Sequence, residues 1–133
     1  MSVRQLPANL SPFKNNSVTG ADFTVGAAHA TDVNVAVQLT YGGDIAQRAG
    51  VLAYISDDAA GDSIAATVPD GGVVIGTDGV AIPIVADGAF LLITEADGSV
   101  DLDITHSGGA DTFYLIIVLP SGELVASTVI TFT

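Results

Sequence analysis

Few residues in this chain are of a type that performs chemistry, and most of those are aspartates. Asp57, Asp58 and Asp62 crowd one short stretch, while Asp101 and Asp103 project from the same side of an alternating run. Calcium takes several oxygen ligands at flexible geometry, so the stretch around Asp57, Asp58 and Asp62 is the best candidate for a metal site. It lacks the Asp-x-Asp-x-Asp-Gly spacing of calcium-binding loops. Clustered carboxylates are also ordinary on a chain of formal charge −12. A solvated acidic loop is therefore expected there, with no metal and no cofactor.

Nucleophilic chemistry has less support. Ser107 follows His106, but neighbours on an extended segment point to opposite faces and do not form a nucleophile–base pair. No Gly-x-Ser-x-Gly elbow or phosphate-binding loop occurs, and cysteine is absent. His29 and His106 lie in loop-like stretches and read as isolated surface residues. Sugar sites generally stack on exposed aromatic rings. With no Trp, three Tyr and five Phe, the one plausible platform is Tyr41, in a Gly-rich turn. The expectation is a non-enzymatic binding or structural module.

The elements that carry these residues are short apolar runs broken at Asp70-Gly71, Asp78-Gly79, Asp87-Gly88 and Asp97-Gly98. Asp-Gly is a strong turn signal, because Gly tolerates positive φ and Asp bonds its own turn backbone. Between the turns the period is two. Val33, Val35, Val37 and Leu39 alternate with small or polar residues, as do Val100, Leu102 and Ile104 with Asp101, Asp103 and Thr105. Residues 50–56 and 112–119 are apolar on both faces, as central strands are. Val73 to Ile75 and Val80 to Val85 read as a short pair, with Pro83 placing the second at a sheet edge. A loop with a short edge segment around Ile64 to Val68 is expected between Asp57 and Asp70. Residues 124–132 read as one closing strand. About eight strands with short turns and no convincing helix imply an all-β domain of two packed antiparallel sheets, a β-sandwich.

Charge divides the chain. Residues 1–20 hold Arg4 and Lys14 and no acid, while residues 21–133 hold Arg48 and all fifteen acids. A basic arm of net +2 thus precedes a body of net −14. Pro7, Pro12 and the amide-rich Asn15-Asn16-Ser17 favour an extended strap over regular structure. Leu6, Leu10 and Phe13 would be its apolar anchors. The acidic balance argues against binding nucleic acid or anionic membranes. No run of about 18 apolar residues spans a membrane, and Met1 to Asn16 lacks the apolar core of a secretory signal.

Over residues 32–132 the body resembles bacterial immunoglobulin-like domains of the invasin type. The resemblance rests on Val37-Gln38-Leu39 leading to Val51-Leu52-Ala53-Tyr54. It continues in the Thr94-Glu95-Ala96-Asp97-Gly98 turn, the alternating Val100–Thr105 strand and Phe113-Tyr114-Leu115-Ile116-Ile117. The 57–89 stretch is longer than a minimal connection in that family. The whole chain, arm included, is similar to small structural proteins of tailed bacteriophages, which decorate or cement the head. That resemblance implies a virion protein on the capsid exterior, assembled in the host cytoplasm. It would bind the major capsid protein through Arg4, Leu6, Leu10, Phe13 and Lys14, and a homo-oligomer on the capsid is compatible with it. The other expectation is an adhesion or tail-associated module with a glycan or cell-surface ligand.

Overall fold

The computed structural model describes residues 18–133. Its ten strands are β1 (Gly20–Val25), β2 (Asp32–Thr40), β3 (Gly50–Ser56), β4 (Gly72–Ile75), β5 (Val80–Val85), β6 (Ala89–Ile93), β7 (Ser99–Thr105), β8 (Asp111–Val118), β9 (Leu124–Ala126) and β10 (Ile130–Phe132). They build two antiparallel sheets. The smaller runs β1-β2-β7-β4; the larger runs β10-β8-β3-β6-β5, with β9 also paired to β8. The domain is all-β, as the period-two pattern requires.

Alternation decides what lies between the sheets. Val33, Val35, Val37 and Leu39 of β2 and Val100, Leu102 and Ile104 of β7 point inward. They meet Val51, Ala53 and Ile55 of β3, Phe90 and Leu92 of β6, and Phe113, Leu115 and Ile117 of β8 in one core. Val18 is buried ahead of β1, and the Thr19 N–H donates to the Thr40 carbonyl at 2.9 Å. The chain therefore enters the sandwich at the end where β2 finishes. The 40–49 and 94–98 connections lie at that same end, since Leu39 N–H donates to Gly98 O and Ala49 N–H to Thr94 Oγ1.

Three expectations about the strands are corrected. β4 and β5 are not a pair: β4 pairs with β7 in the smaller sheet and β5 with β6 in the larger. The Gly76–Gly79 connection is thus a crossover between sheets. Residues 64–68 form no strand. Instead Ala65 is buried, its N–H donating to the Ile55 carbonyl at 2.8 Å, so the segment is fastened as a loop. The closing strand is two strands, because Ser127 turns inward and interrupts it. Its Oγ accepts the Leu115 N–H at 3.0 Å and donates to the Thr128 carbonyl at 2.7 Å. The edge position of β5 agrees with Pro83, and its register shifts between Pro83 and Val85.

Candidate interaction face

Two of the three acids of the 57–62 stretch are occupied in holding turns. Asp58 Oδ1 accepts the Gly61 N–H at 2.7 Å, and Asp57 Oδ2 accepts the Ala66 N–H at 3.0 Å. Asp62 lies exposed beside them. Among the described residues no three His, Asp or Glu side chains gather as a metal site.

Asp101 is a larger departure from a solvated carboxylate. It is only 9 % exposed, and four donors converge on it. They are Asp78 N–H at 2.6 Å, Asn34 Nδ2 at 2.8 Å, Thr77 N–H at 3.0 Å and the Thr77 hydroxyl at 3.2 Å. Burial alone would raise its pKa, but the hydrogen bonds from Asp78, Asn34 and Thr77 outweigh burial and hold it below the ordinary carboxylate value. Asp101 therefore pins the crossover between the sheets. A Cβ on Gly76 would fall on this carboxylate, so the approach requires glycine.

His106 is buried, not a surface residue. Its ring packs against Phe113 and Phe132, with centroids 5.3 and 5.4 Å away. Nδ1 accepts the Asp70 N–H at 3.2 Å, and Nε2 lies 3.6 Å from Asp111 Oδ2. Ser107 turns to Asp70 instead, its N–H donating to Oδ1 at 2.7 Å. The serine and histidine thus both contact Asp70, the one its carboxylate and the other its backbone N–H, as neighbours on an extended segment pointing to opposite faces should. His29 is exposed, with Nδ1 accepting the N–H groups of Thr31 and Asp32. Tyr41 is 63 % exposed in its turn, as expected.

The larger sheet carries the feature that sequence reading missed. Its outward positions are aliphatic and in register. Ile82, Leu91, Leu52, Val118 and Leu124 form one row across β5, β6, β3, β8 and β9. Val80, Ile93 and Gly50 form the next row, and Val85, Ala89, Tyr54, Ile116 and Ala126 a third. No charged side chain stands in these rows. The third row is partly roofed by the 57–66 loop, where the Tyr54 hydroxyl donates to the Gly61 carbonyl and Ile116 is fully buried. Burial, aided by the negative charges of Asp58 and Asp62, raises the Tyr54 phenol above its ordinary value. The other two rows are open: Leu52, Val80, Ile82 and Leu124 are each 45–47 % exposed. Over Gly50 the surface sinks into a hollow of about 500 Å³ walled by Leu52, Leu91, Val118 and Pro120.

The opposite face is largely polar, although Val74 of β4 stands exposed on it beside Asp103. Asp22, Gln38 and Ser99 form a row across β1, β2 and β7, and Asn34 and Asp103 stand side by side nearby. The domain is a two-faced slab, acidic and hydrogen-bonded on one side and aliphatic on the other. The sequence signal for the aliphatic side was present in the doubly apolar runs of β3 and β8.

Arg4, Leu6, Leu10, Phe13 and Lys14 lie outside the described residues. No protein-family model and no curated protein matches the chain. Among the described residues no helix is long and apolar enough to cross a membrane.

Proposed function

We propose that the chain is a non-enzymatic structural protein of a tailed-bacteriophage virion, an immunoglobulin-like sandwich that decorates or cements the capsid exterior. Its N-terminal arm straps onto the major capsid protein, with Arg4 and Lys14 pairing with capsid acids and Leu6, Leu10 and Phe13 filling apolar grooves. The observation that supports this reading best is the two-faced slab. Contiguous exposed apolar surface on a soluble domain marks a contact with another macromolecule, and the acidic sheet suits the side left in solvent. Asp57, Asp58, Asp70, Asp87, Asp101 and His106 are engaged in holding turns and strands together, which suits a domain that works by surface contact.

Exposed ion pairs add only about 0–1 kcal/mol each, so apolar anchors and repetition over a lattice must supply most of the affinity. Cosedimentation of the purified protein with undecorated phage heads, with and without residues 1–17, tests the proposal. Arm-dependent saturation at a fixed ratio to capsid subunits is expected. Absence of binding in both forms would overturn it and favour a tail position or a cell-surface ligand, for which Tyr41 is the exposed aromatic platform.

A further inference from the structure

The open aliphatic rows end at Arg48, the one Lys or Arg of the described residues. It is exposed beside Gly50, Leu91 and Ile93, and its guanidinium donates to the Thr94 carbonyl at 3.1 Å. The body holds all fifteen acids, yet the ion pairs among the described residues belong to His29 and His106, and none reaches Arg48. Towards the other end of β3 the same face rises into the 57–66 loop. That loop sits on Tyr54 and Ile116 and carries Asp58 and Asp62, both exposed. The surface is a step, with an aliphatic floor that ends at an arginine and an acidic ridge at the opposite end.

Strand register makes this step complementary to a copy of itself. Along β3 and the residues that lead into it, positions 48, 50, 52 and 54 face outward, because Ala49, Val51, Ala53 and Ile55 are buried. A two-fold axis lying in the face and crossing β3 at Val51 sets position 50 opposite 52 and position 48 opposite 54. Leu52 of each copy then enters the hollow over Gly50 of the other. Arg48 arrives opposite Tyr54, where the ridge carries Asp58 and Asp62. The neighbouring strands follow the same exchange, since Leu91 and Ile82 share the row of Leu52, and Ile93 and Val80 share the row of Gly50. Leu91 therefore meets Ile93, and Ile82 meets Val80. The two ridges stand at opposite ends of the contact and do not meet.

We infer that the chain pairs with a second copy of itself through the outer face of its larger sheet, Leu52 filling the hollow over Gly50 and Arg48 meeting Asp58 and Asp62 across the two-fold axis. The contact is weak and reversible. Five strands at about 4.8 Å spacing and two rows of about 6.8 Å give roughly 330 Å² of floor. A standard interface takes about 800 Å² from each partner. The net charge does not forbid it. Asp22 and Asp103 project from the smaller sheet, about 10 Å behind this face, beyond the screening length of about 8 Å at physiological salt. The pairing neither requires nor excludes a capsid, so it stands apart from the proposed function.

Sedimentation equilibrium of the full chain tests the pairing, over concentrations bracketing the dissociation constant on the order of 100 µM that so small an interface implies. Wild type should rise toward the dimer mass. Leu52→Asp should stay monomeric; Leu52 is 47 % exposed, so the variant should keep the fold, as circular dichroism would check. Arg48→Asp and Asp62→Arg each set like charges opposite one another twice, and each should weaken the dimer about tenfold. Asp62 is the acid to replace, because Asp58 also fastens the loop through the Gly61 N–H. Mixed in equal amounts, those two variants should associate with each other at close to wild-type strength, since both cross-axis pairs are then opposite in charge. A wild type that stays monomeric up to about ten times that constant, a Leu52→Asp variant that dimerises like wild type, or a mixture no tighter than its components would each overturn the inference. Cosedimentation with heads remains a separate readout of the capsid proposal.

Discussion

Replacing Asp101 tests whether a single side chain fastens the two sheets at their crossover. The carboxylate receives two backbone N–H groups, from Asp78 at 2.6 Å and Thr77 at 3.0 Å, and the amide of Asn34 at 2.8 Å. A hydrogen bond to a charged group contributes about 1.5–3 kcal/mol net. The Thr77 hydroxyl and the Asn34 amide can turn to water or to Asp103, so only the two backbone donors count in full. Asp101→Ala should therefore cost about 3 kcal/mol, and Asp101→Asn, which keeps one acceptor, about 1.5 kcal/mol. At about 3–5 °C per kcal/mol for a domain of this size, the alanine variant should melt about 10 °C lower. Asp103→Asn, half-exposed and bonded to Asn34 alone, serves as a control and should cost less than about 0.5 kcal/mol.

The pH dependence supplies a second, independent readout. The folded pKa of Asp101 lies below its ordinary value of 3.8. Its contribution is thus fully present above that value and is lost as pH falls through the folded pKa. Urea unfolding followed by circular dichroism should show the gap between wild type and Asp101→Asn narrowing as pH drops from neutrality to below 3.8. An Asp101→Ala variant within about 0.5 kcal/mol of wild type, a surface-like cost, would refute the fastening argument. A gap that does not change with pH would refute the assignment to the charged form.

Three further outcomes follow from the same contacts. Asp58→Asn or Asp62→Asn should each lower the Tyr54 phenol titration, read by ultraviolet absorbance, because both charges raise it; an unmoved titration would contradict that cause. Millimolar calcium should shift the melting temperature by less than about 1 °C, since a ligand that does not bind the folded state does not stabilise it; a clear rise would reveal a site at Asp57, Asp58 and Asp62. Gly98→Ala should destabilise more than Gly109→Ala in thermal unfolding. Both glycines have positive φ (80° and 104°), but a Cβ at Gly98 would strike Ile45 while at Gly109 it meets open space; equal losses would show that backbone strain alone matters.

The all-β class and most strand positions were legible because they rest on local facts. β2, with its Val33, Val35, Val37 and Leu39 alternation, and β3 run over the residues the pattern marked. What failed was non-local. Nothing in Val73–Val85 says that two short strands joined by a four-residue turn belong to different sheets; Asp101, more than twenty residues on, decides it. His106 reads as a loop histidine until Phe113 and Phe132 close over it. The Asp-Gly steps marked turns correctly but not which residue takes the left-handed conformation. At 78–79 and 97–98 it is the glycine, and at 87–88 it is Asp87 itself, with φ 58°. The aliphatic face was visible only as doubly apolar strands, a pattern that a buried central strand shares with a strand whose second face is open.

The way the edges are finished bears on which surfaces of this domain are open to association. Sheet proteins associate by pairing edges or by covering faces. On the β4–β5 side the first route is obstructed. Pro83 has no N–H to offer a neighbouring strand, and the register shift beside it disturbs the edge of β5. Across the gap, the outward N–H of Val73 on β4 is already taken by Asp87 Oδ1 at 3.0 Å. That bond explains why the left-handed residue at the β5–β6 turn is an aspartate: a glycine there would adopt the conformation more easily but leave the β4 donor free. With this side closed to strand addition and the smaller sheet presenting mainly polar side chains such as Asp22, Gln38, Asn34 and Asp103, the outer rows of Leu52, Leu91 and Val118 are the broadest surface on which apolar contact can form.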